Sequence, residues 1–195
     1  MARDFITVVS GLPRSGTSML MRMLEAGGIA SLTDRRREAD EDNPRGYFEL
    51  EAVKSLPASD QWLSGAEGRA VKVVSALLDK LPPAHLYRVI FIERDLGEVL
   101  ASQRRMLERR GEPTDRTSDA SMAESFRRHV TAVLAKARAR PDMRLLRVVH
   151  LEILADARAT AVRIDEFVGG GLDRDAMAAA VDSALWRQRS ASRAR

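Results

Sequence analysis

The sequence predicts an α/β fold: a single domain in which helices cover both faces of a central, mainly parallel sheet. Three observations carry that prediction. Apolar runs rich in β-branched residues (5–9, 70–74, 88–93 and 145–149) alternate with amphipathic helical segments, as strands joined by crossover helices do. The first run meets a turn bounded by Gly11 and Gly16, and a helix opens directly after it. No internal repeat or linker divides the 195 residues, whose 45% hydrophobic content suffices for one core.

The first strand leads into Val8-Val9-Ser10-Gly11-Leu12-Pro13-Arg14-Ser15-Gly16-Thr17-Ser18-Met19-Leu20. Met19, Leu20, Met23 and Leu24 recur at helical spacing, and Gly27-Gly28 stops that helix. Strand, loop and helix N-terminus form an anion cradle, because loop N–H groups and the positive end of the helix dipole converge on a phosphate-sized group. The spacing fits the frame G-x-x-x-x-G-K-[ST], with Gly11, Gly16 and Ser18 in register. The fold class therefore sharpens to a P-loop (Rossmann-like) three-layer sandwich. One residue departs from the frame: Thr17 stands where the lysine belongs, and a cation, Arg14, sits inside the loop instead.

Residues 31–46 are polar and charged and read as a mobile loop over the mouth of this cradle. Tyr47-Phe48 returns to apolar character, and a short helix is expected over 49–56. The strand 70–74 precedes a short helix (75–81) that Pro82-Pro83 ends. The clearest strand, 88–93, hands over to a helix at Asp95, with Glu98 in capping-box spacing and Leu96, Val99, Leu100, Gln103 and Leu107 as one stripe. After a loop at 111–118, a second capping box, Ser121-x-x-Glu124, opens a helix with Met122, Phe126, Val130, Val133 and Leu134 on one side. The strand 145–149 follows, then helices over 155–168 and 173–185 split by Gly169-Gly170-Gly171. The domain is expected to span 1–186, with 187–195 a basic, disordered tail.

Composition narrows the chemistry. With no cysteine there is no disulfide or thiolate metal site, and three widely spaced histidines (His85, His129, His150) make a histidine metal site improbable. No apolar run approaches the roughly 20 residues needed to span a bilayer, and the N-terminus lacks a signal-peptide pattern, so a cytoplasmic protein is expected. The formal charge is +4. It is carried mostly by arginine, which binds phosphate bidentately. No aromatic platform or nucleic-acid motif accompanies it, so nucleic acid is not the expected partner.

Ligands of parallel α/β sheets bind at the carboxyl ends of the strands. That rule brings residues 10–18, the residues after Val74, Glu93-Arg94-Asp95 and His150-Leu151-Glu152 to one rim. Arg94 and Ser102 lie two helical turns apart and can face one side, where the arginine side chain can lean along the helix to meet the hydroxyl and bind a second phosphate. The same spacing also describes a surface arginine and a helical serine.

These residues resemble the sulfotransferases that use 3′-phosphoadenosine 5′-phosphosulfate (PAPS). Pro13-Arg14-Ser15-Gly16-Thr17-Ser18 resembles the family's 5′-phosphosulfate loop, in the arginine form of tyrosylprotein and many bacterial members. Arg94-Asp95-Leu96-Gly97-Glu98-Val99-Leu100-Ala101-Ser102 is similar to its 3′-phosphate motif. Asn43-Pro44-Arg45-Gly46-Tyr47-Phe48-Glu49 resembles an N-P-x-G-[FY]-[FW]-E segment of bacterial members, and His150-Leu151-Glu152-Ile153-Leu154-Ala155-Asp156 a Y-E-D-L-L-A-D-like stretch with histidine for the tyrosine. The R-K-G-x-x-G motif of cytosolic members does not occur.

The resemblance implies sulfuryl transfer from PAPS to a hydroxyl or amine without a metal, leaving 3′-phosphoadenosine 5′-phosphate (PAP). It implies that Arg14 steadies the leaving phosphate, that Pro13, Ser15, Gly16, Thr17, Ser18 and the loop amides hold the 5′-phosphate, and that Arg94 and Ser102 select the 3′-phosphate. Glu49 is the candidate base, with a helix N-terminal glutamate as the plain alternative. Lys72, costly among Val71, Val73 and Val74 unless paired, either reaches the sulfuryl group or belongs to an edge strand. His85 and His129 read as ordinary surface or half-buried residues, and Trp186 as a core tryptophan, with adenine stacking as its alternative. The acceptor, whether small molecule, carbohydrate or peptide, and the oligomeric state are not encoded in any motif. Two rival readings are a P-loop nucleotide kinase or NTPase with Glu93 as its acid, and a non-catalytic nucleotide-binding protein of the same fold.

Overall fold

Five short strands form one sheet in which every neighbouring pair runs parallel. They are β1 (Ile6–Gly11), β2 (Ser31–Leu32), β3 (Ala70–Val74), β4 (Tyr87–Glu93) and β5 (Met143–Val149), in the spatial order β2-β3-β1-β4-β5. The structure is a computed structural model and describes residues 3–36, 40, 46–114, 118–182 and 184. The helices are α1 (Thr17–Ala26), α2 (Leu96–Arg109), α3 (Asp119–Ala139), α4 (His150–Ala155), α5 (Ala157–Phe167) and α6 (Arg174–Ala179). Single 3₁₀ segments cover Glu51–Ser55, Gln61–Leu63 and Ser75–Lys80. Among the described residues no helix is long and apolar enough to cross a membrane.

The period-two alternation of the strands divides the core into two layers of packing. Val9, Ile90, Ile92 and Val148 meet Met19, Leu20, Met23 and Leu24 of α1 together with Ile164 and Met177. Ile6, Val8, Val71, Val73, Val89 and Phe91 point the other way, against Val133, Leu134 and Ala137 of α3 and Leu78 of the 3₁₀ segment after β3. Each fully buried aliphatic side chain contributes about 1.5–3 kcal/mol, and β1, buried along its whole length, is the middle of both layers. The expected three-layer sandwich is therefore observed, with an entirely parallel sheet.

Five expectations need correction. Residues 31–46 are not one loose loop: Ser31 and Leu32 pair with Ala70 and Val71 as the sheet's edge strand. Beyond them, Thr33 Oγ1 donates to the Glu49 carbonyl, and Asp34 accepts from the Glu51 N–H. The expected helix over 49–56 is the 3₁₀ segment Glu51–Ser55. α3 starts a turn early, because the Ser118 hydroxyl rather than that of Ser121 caps it, accepting from Ser121 N; Asp119 then complements the dipole in the first turn. The helix expected over 155–168 is α5, and a further short helix, α4, precedes it, because Asp156 adopts φ −147°, separates the two and caps α5 through Ala159 N. The helix expected over 173–185 is the shorter α6, Arg174–Ala179. Trp186 and the tail at 187–195 lie outside the described residues.

Candidate active site

The glycine loop follows directly from β1, whose last residue, Gly11, is level with Val74 of β3 and Ile92 of β4. A Cβ on Gly11 would stand 2.6 Å from Ser15 Oγ and 2.7 Å from the Ile92 carbonyl, so only glycine lets the chain turn this tightly. The turn continues through Arg14, in the left-handed region at φ 73°, to Gly16 at φ 105°, where α1 begins. No side chain caps the first turn of α1, and it holds no acidic residue. Its N–H groups and positive dipole end therefore suit an external anion. Pro13 is exposed, Gly16, Thr17 and Ser18 are half-buried, and Ser15 is buried with no partner for its hydroxyl among the described residues.

Arg14 lies within this loop, and Arg94 and Ser102 meet it from α2 and its head. The Arg14 Nε–H donates to Ser102 Oγ at 2.9 Å, and the Arg14 carbonyl accepts from Arg94 Nη1 at 3.2 Å. Arg94, Glu98 and Ser102 are spaced four apart at and beyond the head of α2, with Asp95 capping that helix through Glu98 N at 3.1 Å. The sequence suggested that Arg94 leans along the helix to Ser102. Instead Arg94 Nε pairs with Glu98 at 2.8 Å, with both side chains nearly buried (10% and 6% exposed). A charge-assisted bond to a carboxylate one turn away outweighs one to a hydroxyl two turns away. The structure thus brings Arg14, Arg94 and Ser102 together, with Ser102 bonded to the loop arginine.

A second group lies on the other side of β1. Lys72 is in β3, between β2 and β1, which removes the edge-strand alternative. Its ammonium donates to the Tyr47 carbonyl and stands 3.6 Å from Glu49 Oε1. Ser18 Oγ donates to the same Tyr47 carbonyl at 3.3 Å, which joins this pair to the loop helix. Tyr47 is buried, and its hydroxyl donates to Asp40 at 2.5 Å. Residues 43–45 of the bacterial-type segment lie outside the described residues.

The rim also carries His150, as expected, and the structure adds its contacts. His150 opens α4 directly after β5 and is 7% exposed. A Cβ on Gly16 would come 2.8 Å from its Cδ2, so the imidazole packs against the loop. Burial first, and then the Arg94 guanidinium, push its pKa down to about 4, with Glu98 opposing. Arg94, Asp95, Glu98, His150 and Glu152 are among the residues that line a cleft of about 390 Å³ beside the loop. Glu98 was visible in the sequence as a capping residue, but its i,i+4 spacing from Arg94 also signalled the ion pair. Of the other histidines, His129 Nε2 lies 2.9 Å from Ser75 Oγ, and His85 bonds to Glu67 at 3.2 Å.

No family model and no curated protein sequence matches this chain. Several solved structures match its fold. The sulfotransferase domain of the Synechococcus PCC 7002 olefin synthase superposes with a TM-score of 0.60 at 19% identity, over 95% of this chain and 80% of that one. Mouse sulfotransferase SULT7A1, complexed with PAP, gives 0.54 at 16% identity, over 92% of this chain and 64% of the mouse chain. A sulfotransferase from Alicyclobacillus acidocaldarius gives 0.52 at 14% identity, over 87% and 82%. This chain has the sulfotransferase fold.

Proposed function

We propose that this protein transfers a sulfuryl group from PAPS to a hydroxyl or amine acceptor. The observation that carries the proposal is the convergence of Arg14, Arg94 and Ser102 at the uncapped start of α1. It supplies two guanidinium groups and a hydroxyl beside a glycine turn, which suits a nucleotide phosphorylated at two places. The loop itself suits an anion, since no side chain caps the first turn of α1 and that turn holds no acidic residue. When bound, the phosphosulfate supplies the activated sulfuryl group.

The chain's own residues divide the remaining work. Pro13, Ser15, Gly16, Thr17 and Ser18 shape the 5′-phosphate cradle, and Arg14 stabilises the negative charge that develops on the leaving phosphate. Ser102 accepts from Arg14 Nε, which directs its own O–H elsewhere, so it can donate to a 3′-phosphate oxygen that Arg94 also binds. Glu49 takes the proton of the acceptor. Lys72, 3.6 Å from Glu49, orients that carboxylate and brings a cation close to the loop helix. The acid that an NTPase reading requires, Glu93, is instead held by Arg147 through Nε at 2.5 Å and Nη2 at 2.9 Å.

The test is a binding titration of PAP against ADP, with and without Mg²⁺, on the wild type and Arg94→Ala. PAP is expected to bind more tightly than ADP whether or not Mg²⁺ is present. A hydrogen bond to a charged group is worth about 1.5–3 kcal/mol, so Arg94→Ala is expected to weaken PAP roughly tenfold to a hundredfold and ADP far less. Tighter, Mg²⁺-dependent binding of ADP would overturn the proposal.

A further inference from the structure

We infer that His150 is a proton-accepting member of the nucleotide site: it takes up one proton from solvent when the 3′-phosphate of the nucleotide enters the cleft beside the loop, so that binding tightens as the pH falls. This inference rests on the PAPS reading and extends it to a residue that the motif comparison left without a role.

The geometry gives His150 that position. Its ring lies against Gly16, the residue at which the loop becomes α1; a Cβ there would be 2.8 Å from Cδ2 and 3.6 Å from Nε2. It shares the cleft with Arg94, so an anion that touches the Arg94 guanidinium also faces the imidazole. The charged groups around it come from two elements. From the α2 side these are Arg94, Asp95 and Glu98, with Arg94 and Glu98 paired at 2.8 Å. From α4 there is Glu152, which pairs with Arg163 at 3.2 Å.

Without an anion the balance favours the neutral ring: burial and Arg94 oppose protonation, Glu98 offsets part of that, and the midpoint stands at about 4. A phosphate monoester brings about −1.5 to −2 charges near neutral pH. An opposite charge within about 4–6 Å raises a histidine pKa by about 1–3 units. The ring would then titrate between about 5 and 7. No covalent step is involved. One proton moves from solvent to a ring nitrogen as one nucleotide binds, and a third cation joins Arg14 and Arg94. A tyrosine in this position, as in the resembled motif, has no such charge to gain.

Two measurements test this. First, the ring C–H resonances of the three histidines of the wild type are followed by NMR as a function of pH with and without saturating PAP. The His150 midpoint is expected to rise from about 4 to above about 5 with PAP, and less with ADP, which lacks the 3′-phosphate. Second, PAP affinity is measured for the wild type and His150→Gln at pH 7.5 and 5.0. Protonation of the phosphate itself affects both proteins alike, so the ratio of their affinities isolates the ring. That ratio is expected to grow about tenfold in favour of the wild type at the lower pH, one pKa unit corresponding to a factor of ten. If PAP binds at pH 7.5 while the His150 midpoint stays near 4 and the ratio stays flat, the inference is overturned and the PAPS reading stands. If PAP does not bind at all, both fall.

Discussion

Gly16→Ala tests the packing on which the loop depends. Gly16 sits at φ 105°, a left-handed conformation that costs an L residue about 1–2 kcal/mol. Its new methyl would also stand 2.8 Å from His150 Cδ2 and 3.1 Å from Ile92 Cδ1. The isoleucine end can rotate away, but the histidine ring is buried, and overpacking of this kind costs typically about 1–3 kcal/mol. The sum is a loss of about 2–5 kcal/mol. For a chain of this size each kcal/mol lowers the melting temperature by about 2–4 °C, so a fall of about 4–20 °C is expected. Gly28→Ala is the control, because Gly28 has φ 101° and nothing within 4 Å of an added Cβ. It carries the conformational cost without the collision. The assay is thermal unfolding of the three proteins followed by circular dichroism. A Gly16→Ala variant that melts no lower than Gly28→Ala would refute the placement of His150 against the loop.

Three further outcomes are expected. Glu49→Gln should lower turnover about a hundredfold or more while PAP affinity is unchanged, the usual scale for loss of a general base; unchanged turnover would move the base elsewhere. Lys72→Met should also lower turnover more than PAP affinity, since its ammonium stands 3.6 Å from Glu49 and its side chain is only 8% exposed; equal loss of both would make it a structural residue, which its melting temperature would confirm. The depressed His150 midpoint has a consequence for stability as well. Between about 4 and its ordinary value of 6.5, the unfolded chain binds the proton and the folded one does not, so stability rises with pH across that window and is lost on acidification through it. The loss from this group is on the order of 3 kcal/mol, complete near pH 4, and should be absent from urea titrations of His150→Gln.

The layers of this fold were legible because the strands advertise themselves. Val8-Val9 and Ile90-Phe91-Ile92 are buried on both faces in a parallel sheet and read as near-continuous apolar runs. The glycine loop was legible for the same local reason: two glycines and a cation at fixed spacing are contiguous in the chain. β2 was not, since Ser31-Leu32 carries too little apolar pattern to announce a strand, and only the exposed edge of β3 defines it. The site shows the same division. Arg94 and Ser102 were found by spacing, but their pairing was not, because the Arg14 side chain that takes Ser102 comes from far along the sequence. Lys72 was ambiguous until the sheet order fixed β3 as an inner strand, and the Ser18 and Lys72 bonds to one Tyr47 carbonyl depend on a backbone atom that no pattern of side chains reveals. His150 has a place on the rim from its position after β5, but its packing on Gly16 is a side-chain contact that no spacing in the chain reveals.

The central place of β1 also sets the order in which this site can be made. Ile6 pairs with Tyr87 on one side and Thr7 with Ala70 on the other, so one hydrogen-bonding edge stays open until the chain has been synthesised through residue 74 and the other until residue 93. Closing such long intervals comes before any contact rewards it, and parallel pairing of this kind is slow. A ribosome-bound chain that already contains the whole phosphate cradle therefore presents an unpaired apolar strand with two open edges, the form most able to template aggregation. The cradle is written in one contiguous stretch, yet no fragment that ends before β4 can hold it, and chaperone demand during synthesis should peak before that point.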